Sequence, residues 1–268
     1  VSEYWMPALT GLIFTPPLLA GVYALSRIPQ PDARDVASRS LRMPMNGKAR
    51  WALFRRHAFG LCTLTVIYML LTIVRSIRDD FAVEIWSELG YRGAPSIFAT
   101  SEMAVMLGVV VINGAAVLIG SNRKALLASF VLVSGGFALV LASLWGQAAG
   151  VLGPFSFMVL VGLGTYVPYV AFHTTVFERL LAAFREKGNI AYLMYLADAM
   201  GYLAYVAVMV VKSRLPSDIE YVPVFVDCTY YFSWFSLALG TLLTIYYARR
   251  IPVADASEMP QPSLSEPT

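Results

Sequence analysis

The sequence predicts an all-α fold: a polytopic membrane helix bundle of about seven transmembrane helices. Three observations predict it. The chain of 268 residues is 58% hydrophobic and only 14% charged, with a mean hydropathy of +0.64. Soluble domains carry roughly 25% charged residues, so this composition has too little polar surface to face water all round. Seven separate stretches approach the ~20 apolar residues a helix needs to cross the hydrocarbon core. Finally, Lys and Arg alternate between heavy and light loops along the chain, as membrane topology requires.

The first span covers about Tyr4–Ser26 and carries Pro16-Pro17 in its middle. The connection that follows, "PQPDARDVASRSLRMPMNGKAR", is long for neighbouring helices and reads as a basic linker, with "KARWALFRRH" as a short amphipathic piece on the membrane surface. The second span covers about Ala58–Val74, with a longer end left open, and the third about Ser96–Gly120, containing Glu102. The fourth (about Ala125–Ala149) and fifth (about Pro154–Phe177) form one uncharged stretch, divided at "GQAAGVLGP" by its glycines and proline. The fifth contains Pro168 and His173. The sixth, about Ile190–Val211, contains Asp198, and the seventh, about Tyr221–Ala248, contains Asp227. The tail "VADASEMPQPSLSEPT" is polar, rich in Pro and Ser, and reads as disordered.

Of the 20 Lys and Arg residues, 15 fall on one set of alternate loops and five on the other. The heavy set is expected in the cytoplasm. That places the N-terminus outside, the C-terminus inside, and the protein in the plasma (inner) membrane. Cys62 and Cys228 both lie in apolar runs, and no CxxC, HExxH, Walker or GxGxxG pattern has a suitable context. No metal, cofactor, nucleic-acid partner or enzymatic activity is expected; the expected partners are the lipid bilayer and a small-molecule substrate.

Charge within a membrane helix costs roughly 2.5–3.5 kcal/mol on insertion scales, so such residues are functional candidates by default. Asp198 lies about mid-way along its span and shares one helical stripe with Tyr195, Tyr202 and Tyr205; a carboxylate there suits proton coupling or a counter-ion, against the plainer reading of an Asp bonded to tyrosines for packing. On the fifth span, Tyr166, Tyr169 and His173 recur at i, i+3 and i+7, with Pro168 between them; His173 is the second choice for carrying a proton. On the second, Thr65, Tyr68, Thr72, Arg75 and Asp79 form a polar stripe that runs into "VRSIRDDFAVEIWSEL". There Arg75 and Arg78 are candidates for holding an anion. Asp79, Asp80 and Glu102 are candidates for a gate or brace, with Arg75–Asp79 at i+4 and Glu102 reaching Arg75 or Arg78. Phe81, Ile85 and Trp86 would point towards lipid or protein. Asp227 with Tyr230, Tyr231 and Trp234 is a shallower face.

One helix entering from outside, a long basic linker and six further helices resemble helices six to twelve of a major facilitator superfamily transporter. "GSNRKALL" (Gly120, Arg123, Lys124) is similar to the weaker second copy of that family's basic loop motif, without its acidic residue and second glycine. "FERLLAAFREKGNIAYLMYLADAMG" resembles the family's run into its eleventh helix, through Glu178, Arg179, Lys187 and Gly188. The RxxRDDFAxEIWxxLG pattern, carried by Arg75, Arg78, Asp79, Asp80, Phe81, Ala82, Glu84, Ile85, Trp86, Leu89 and Gly90, also resembles an uncharacterised bacterial facilitator-like branch.

The resemblance implies four parts: 1–27 as the last helix of a missing N-terminal half, 28–57 as the cytoplasmic linker, 58–250 as the six-helix C-terminal half, and 251–268 as the tail. It implies a secondary transporter of a small polar, anionic metabolite, proton-coupled and working by alternating access. A partner half, absent or on a separate chain, would complete it. The alternatives are a non-transporting membrane scaffold and a seven-helix receptor. A retinal version of the latter is disfavoured because the last span contains no lysine.

Overall fold

The computed structural model describes residues 2, 4–30, 45–93, 95–119, 121–184, 189–214 and 220–251. Residues 31–44 of the expected linker, the expected disordered tail, Gly120 and the Lys187-Gly188 turn lie outside the described residues. All regular structure among the described residues is helical. Seven helices are long and apolar enough to span a membrane, so the chain is an all-α polytopic membrane protein.

The chain divides into two compact units, Val1–Arg39 and Ser40–Thr268. In the first, α1 (Met6–Ser26) stays helical through Pro16 and Pro17. Proline deprives the carbonyl one turn back of its donor. Nearby, Thr10 and Thr15 donate their hydroxyls to the carbonyls of Met6 and Gly11, at 2.8 and 3.0 Å.

The second unit opens with α2 (Gly47–Arg56), capped by Asn46, whose side chain accepts from Ala49 N at 2.9 Å. Leu53 is buried while Trp51 is exposed and stacks on Phe54, so the helix is amphipathic. The bundle then comprises α3 (Ala58–Asp80), the short α4 (Ala82–Glu88), α5 (Ser96–Ala115) and α6 (Asn122–Ala148). Next comes one continuous span built from α7 (Pro154–Ala171), a π turn (Phe172–Val176) and α8 (Phe177–Ala183). It closes with α9 (Ile190–Lys212) and α10 (Tyr221–Arg250). The hairpin between α6 and α7 falls in "GQAAGVLGP", as its glycines require.

Two spans run further than their hydropathy indicates. α3 continues through the charged residues to Asp80, because its arginines are paired sideways within the bundle and the helix need not end where charge begins. The fifth span continues past Phe177 to Ala183. Its π turn follows Pro168 by one turn, and its two threonines return their hydroxyls to carbonyls of the preceding turn, Thr174 to Val170 at 2.8 Å and Thr175 to Ala171 at 3.1 Å.

α3 packs against α7, α9 and α10; α6 packs against α7 and α10; α5 leans on α7. Buried residues make up 56% of the apolar window of α3, but 17% of that of α5 and 11% of that of α9. Those last two helices are the open flanks. Two apolar clusters fill the interior. One gathers Leu64, Leu126, Phe130, Phe172 and Tyr247, and the other Ile85, Trp86, Leu144, Phe157 and Phe225. Phe81, Ile85 and Trp86 are buried in the second cluster, so α4 turns its apolar face to protein rather than lipid. Glu88, at the end of α4, accepts the backbone N–H groups of Tyr221 and Val222 at 2.8 Å each. This satisfies orphan donors at the start of α10.

Candidate functional site

The polar stripe of α3 meets α7 and α9 in two linked clusters. The first lies at the far end of α3. Asp79 accepts from Arg75 Nη1 and Arg78 Nη1, both at 3.2 Å, and from the Tyr166 hydroxyl at 2.6 Å. Arg78 Nη2 donates to Glu102 of α5 at 2.7 Å and to the Met158 carbonyl at 3.3 Å. Two arginines and two carboxylates thus neutralise one another across α3, α5 and α7. Arg78 is 2% exposed. Its guanidinium fits because residue 162 is glycine: a Cβ there would lie 2.7 Å from Nη2.

Arg75 is placed differently. Its guanidinium lies 4.5 Å from the Tyr169 ring centroid and 5.8 Å from that of Tyr166, a cation–π arrangement. Asp79 is its carboxylate partner, and its buried Nε has no hydrogen-bond partner among the described residues. A cavity of about 230 Å³ opens beside this cluster, lined by Arg78, Asp79, Glu102, Trp86, Phe98 and Tyr166 among others.

The second cluster lies about eleven residues back along α3, or roughly 16 Å at 1.5 Å per residue. The Tyr68 hydroxyl donates to Asp198 Oδ1 of α9 in a short hydrogen bond. His173, in the π turn, brings Nε2 to 3.4 Å from Asp198 Oδ1 and 3.5 Å from the Tyr68 oxygen. Its Nδ1 lies 3.1 Å from the Tyr169 carbonyl. α9 can approach α3 this closely because residue 201, one turn beyond Asp198, is glycine. A Cβ there would come within 2.9 Å of Thr72 Oγ1 and 3.1 Å of Tyr68 Cε1. Tyr68 is buried, whereas His173 and Asp198 keep 26% and 27% of their side-chain surface open.

Tyr169 joins the two clusters. Its ring lies 4.6 Å from that of His173 and stacks on Tyr68 at 5.9 Å, with Arg75 against it.

The remaining candidates fall around this line. Asp80 accepts a short hydrogen bond from Tyr205 of α9. Tyr202 and Tyr195 are exposed on the open side of α9. Asp227 is exposed on α10 and joins neither cluster. Glu102 takes Arg78 rather than Arg75. The sequence reading did not single out Tyr68 or Tyr205 as site members, although both stand in the stripes that marked their neighbours. Gly162 and Gly201 carried no sequence signal, because their role is the space they leave for residues of other helices. Among the described residues no three His, Cys, Asp or Glu side chains come together as a metal site would need.

At the other end of the bundle, Arg123 donates to the Ala248 carbonyl at 3.1 Å and Arg179 to Asn122 Oδ1 at 2.7 Å. These bonds tie the start of α6 to the ends of α10 and α8.

A family model described as "Family of unknown function (DUF5690)" matches residues 1–250, so the chain belongs to that family. No curated protein and no solved structure matches it.

Proposed function

We propose that this member of the DUF5690 family is a proton-coupled secondary transporter of a small anionic metabolite, built on half of a major-facilitator-type bundle. The observation that carries the reading is the Tyr68–Asp198–His173 cluster, linked through Tyr169 to Arg75. A proton count gives it meaning. The Tyr169 carbonyl can only accept, so His173 Nδ1 must donate to it. The Tyr68 proton is committed to Asp198. Nε2 is then the atom free to gain or lose a proton. When protonated it faces a carboxylate and a phenol oxygen, both acceptors. The two states differ by one proton with the heavy atoms already in place, and both titratable side chains are partly open.

Arg75 is the better anion holder. Arg78 spreads its two Nη atoms over two carboxylates and a carbonyl, is almost wholly buried, and acts as a brace. Arg75 retains spare donors on a planar fork suited to a carboxylate or phosphate. Charging His173 puts a second cation against the Tyr169 ring that already holds Arg75, so proton uptake weakens the hold of Tyr169 on Arg75 and frees it for the anion. A second six-helix half, on this chain or another, would cover the open flanks α5 and α9, where the exposed Tyr195 and Tyr202 would then line a path. The N-terminus outside and C-terminus inside, in the inner membrane, is the orientation that goes with this reading, on the strength of the Lys and Arg distribution.

The test is a solid-supported-membrane current recording on proteoliposomes of the intact protein, with pH jumps in the presence of pooled small carboxylates and phosphates. The expected result is a substrate-dependent current that rises with the imposed proton gradient. In Asp198→Asn the gradient should no longer drive it while substrate exchange persists. An unchanged pH profile in Asp198→Asn removes the proton role.

A further inference from the structure

We propose that the protein carries a site for an anionic phospholipid in the groove between α5, α6 and α7, with the phosphate at the end where α6 begins. Two cavities, of about 340 and 210 Å³, share Ile112, Ala128 and Leu132 and so form one continuous groove. Its wall on α6 runs from Ala125 to Leu139, roughly 21 Å at 1.5 Å per residue. One leaflet of hydrocarbon is about 15 Å deep, half of a ~30 Å core. The groove is long enough for an acyl chain to lie along it through that depth.

Its chemistry changes from one end to the other. Towards Leu139 the lining is wholly apolar and floored by Gly135, Gly136 and Gly164. Towards Ala125 it meets Arg179, which gives Nη1 to Asn122. Arg123 and the exposed Lys124 stand on the adjoining first turn of α6. The hydroxyls on that wall are already committed, Ser129 to the Ala125 carbonyl at 2.8 Å and Thr175 to the Ala171 carbonyl at 3.1 Å. They ask nothing of an occupant, whereas the hydrogen bonds of Arg123 and Arg179 go to neutral oxygens of Ala248 and Asn122, which do not cancel their charge. Charge at one end and grease along the rest match a phospholipid with net negative charge. Basic pockets between transmembrane helices bind such headgroups, and the positive end of the α6 dipole adds to the field. The site is independent of the transport reading, since none of its residues belongs to the Tyr68–Asp198–His173 or Arg75 clusters.

Gly135 supplies the decisive variant. A Cβ there meets nothing within 4 Å, so Gly135→Leu fills the groove without displacing the fold. The experiment is native mass spectrometry of the intact protein from detergent, with phosphatidylglycerol or phosphatidylcholine added in equal amounts. The expected result is one phosphatidylglycerol retained at least tenfold more than phosphatidylcholine. Gly135→Leu should lose that retention at an unchanged melting temperature, and Lys124→Gln and Arg179→Gln should each reduce the preference several-fold. Equal retention of the two lipids, or retention that survives Gly135→Leu, overturns the proposal. So does a second copy of the chain departing together with the lipid in Gly135→Leu, which would assign the groove to a protein helix. Inorganic phosphate alone, added at millimolar concentration, should leave no adduct; a stable phosphate adduct would overturn the assignment to a lipid.

Discussion

The two polar clusters on α3 use similar residues to opposite ends. Around Arg78 every strong charge is matched. Two guanidinium groups face Asp79 and Glu102, the Tyr166 hydroxyl takes a further bond to Asp79, and Arg78 itself is nearly inaccessible. Around Asp198 there is one carboxylate, one phenol and one imidazole, a set without a permanent cation, whose hydrogen bonds depend on where one proton sits. A charge-matched network resists change, because removing one partner leaves an opposite charge unbalanced. One without a permanent cation changes state by a single proton. On the proposed reading α3 carries both a fixed anchor and a centre that changes protonation, and Tyr169 is the side chain that touches both.

The largest expected effect comes from breaking the anchor. Arg78→Met takes one of two arginines from Asp79 and removes the arginine partner of Glu102, and it deletes a buried side chain from the packing between α3, α5 and α7. Thermal unfolding in detergent should register it as a large loss of melting temperature or of folded yield. Gly162→Ala should act in the same direction, since its methyl group collides with the Arg78 guanidinium. A wild-type melting curve for both variants would erase the distinction between anchor and centre.

The centre should respond in the other order, with small stability changes and large functional ones. Asp198→Asn keeps an acceptor for Tyr68 and should melt within about 1 kcal/mol of wild type, the scale of one hydrogen bond. On the proposed transport reading it should nonetheless flatten the pH dependence of the current. Tyr169→Leu preserves apolar bulk but removes the ring between Arg75 and His173. Its expected signature is apparent substrate affinity that no longer shifts with pH, and a retained shift would disconnect the two clusters. The smallest effect belongs to Tyr202→Phe. Its side chain is exposed on α9 and should leave stability within about 0.5 kcal/mol, so on the proposed transport reading a loss of flux would come from the path and not from the fold.

Much of the fold was legible in the sequence because hydropathy and loop charge are local properties. The spans, the division at "GQAAGVLGP" and the candidate polar stripes all follow from neighbours within a turn or two. The ends of α3 and of the fifth span were less legible. Charge at Arg75–Asp80 looks like the edge of a span until the partners on α5 and α7 are known, and a π turn leaves no mark in hydropathy. The candidate site was legible residue by residue but not as an assembly. Asp198, His173 and Arg75 stand out as polar groups among apolar ones. That Tyr68 rather than another tyrosine completes the cluster depends on the approach of α9 to α3 at Gly201, a distance no single-helix pattern encodes.

The π turn at Phe172–Val176 has a consequence for inheritance. A π turn holds one residue more than the α-helical path it replaces, and each residue turns a helix by about 100°. His173, at the start of the turn, and Arg179, beyond its end, are therefore set in register separately, the first to Asp198 and the second to Asn122. Deleting a single residue here would leave the helix intact and its composition nearly unchanged, yet it would rotate one end out of step with the other. Relatives that share every polar residue but lack this one extra position would have the same parts and a different machine.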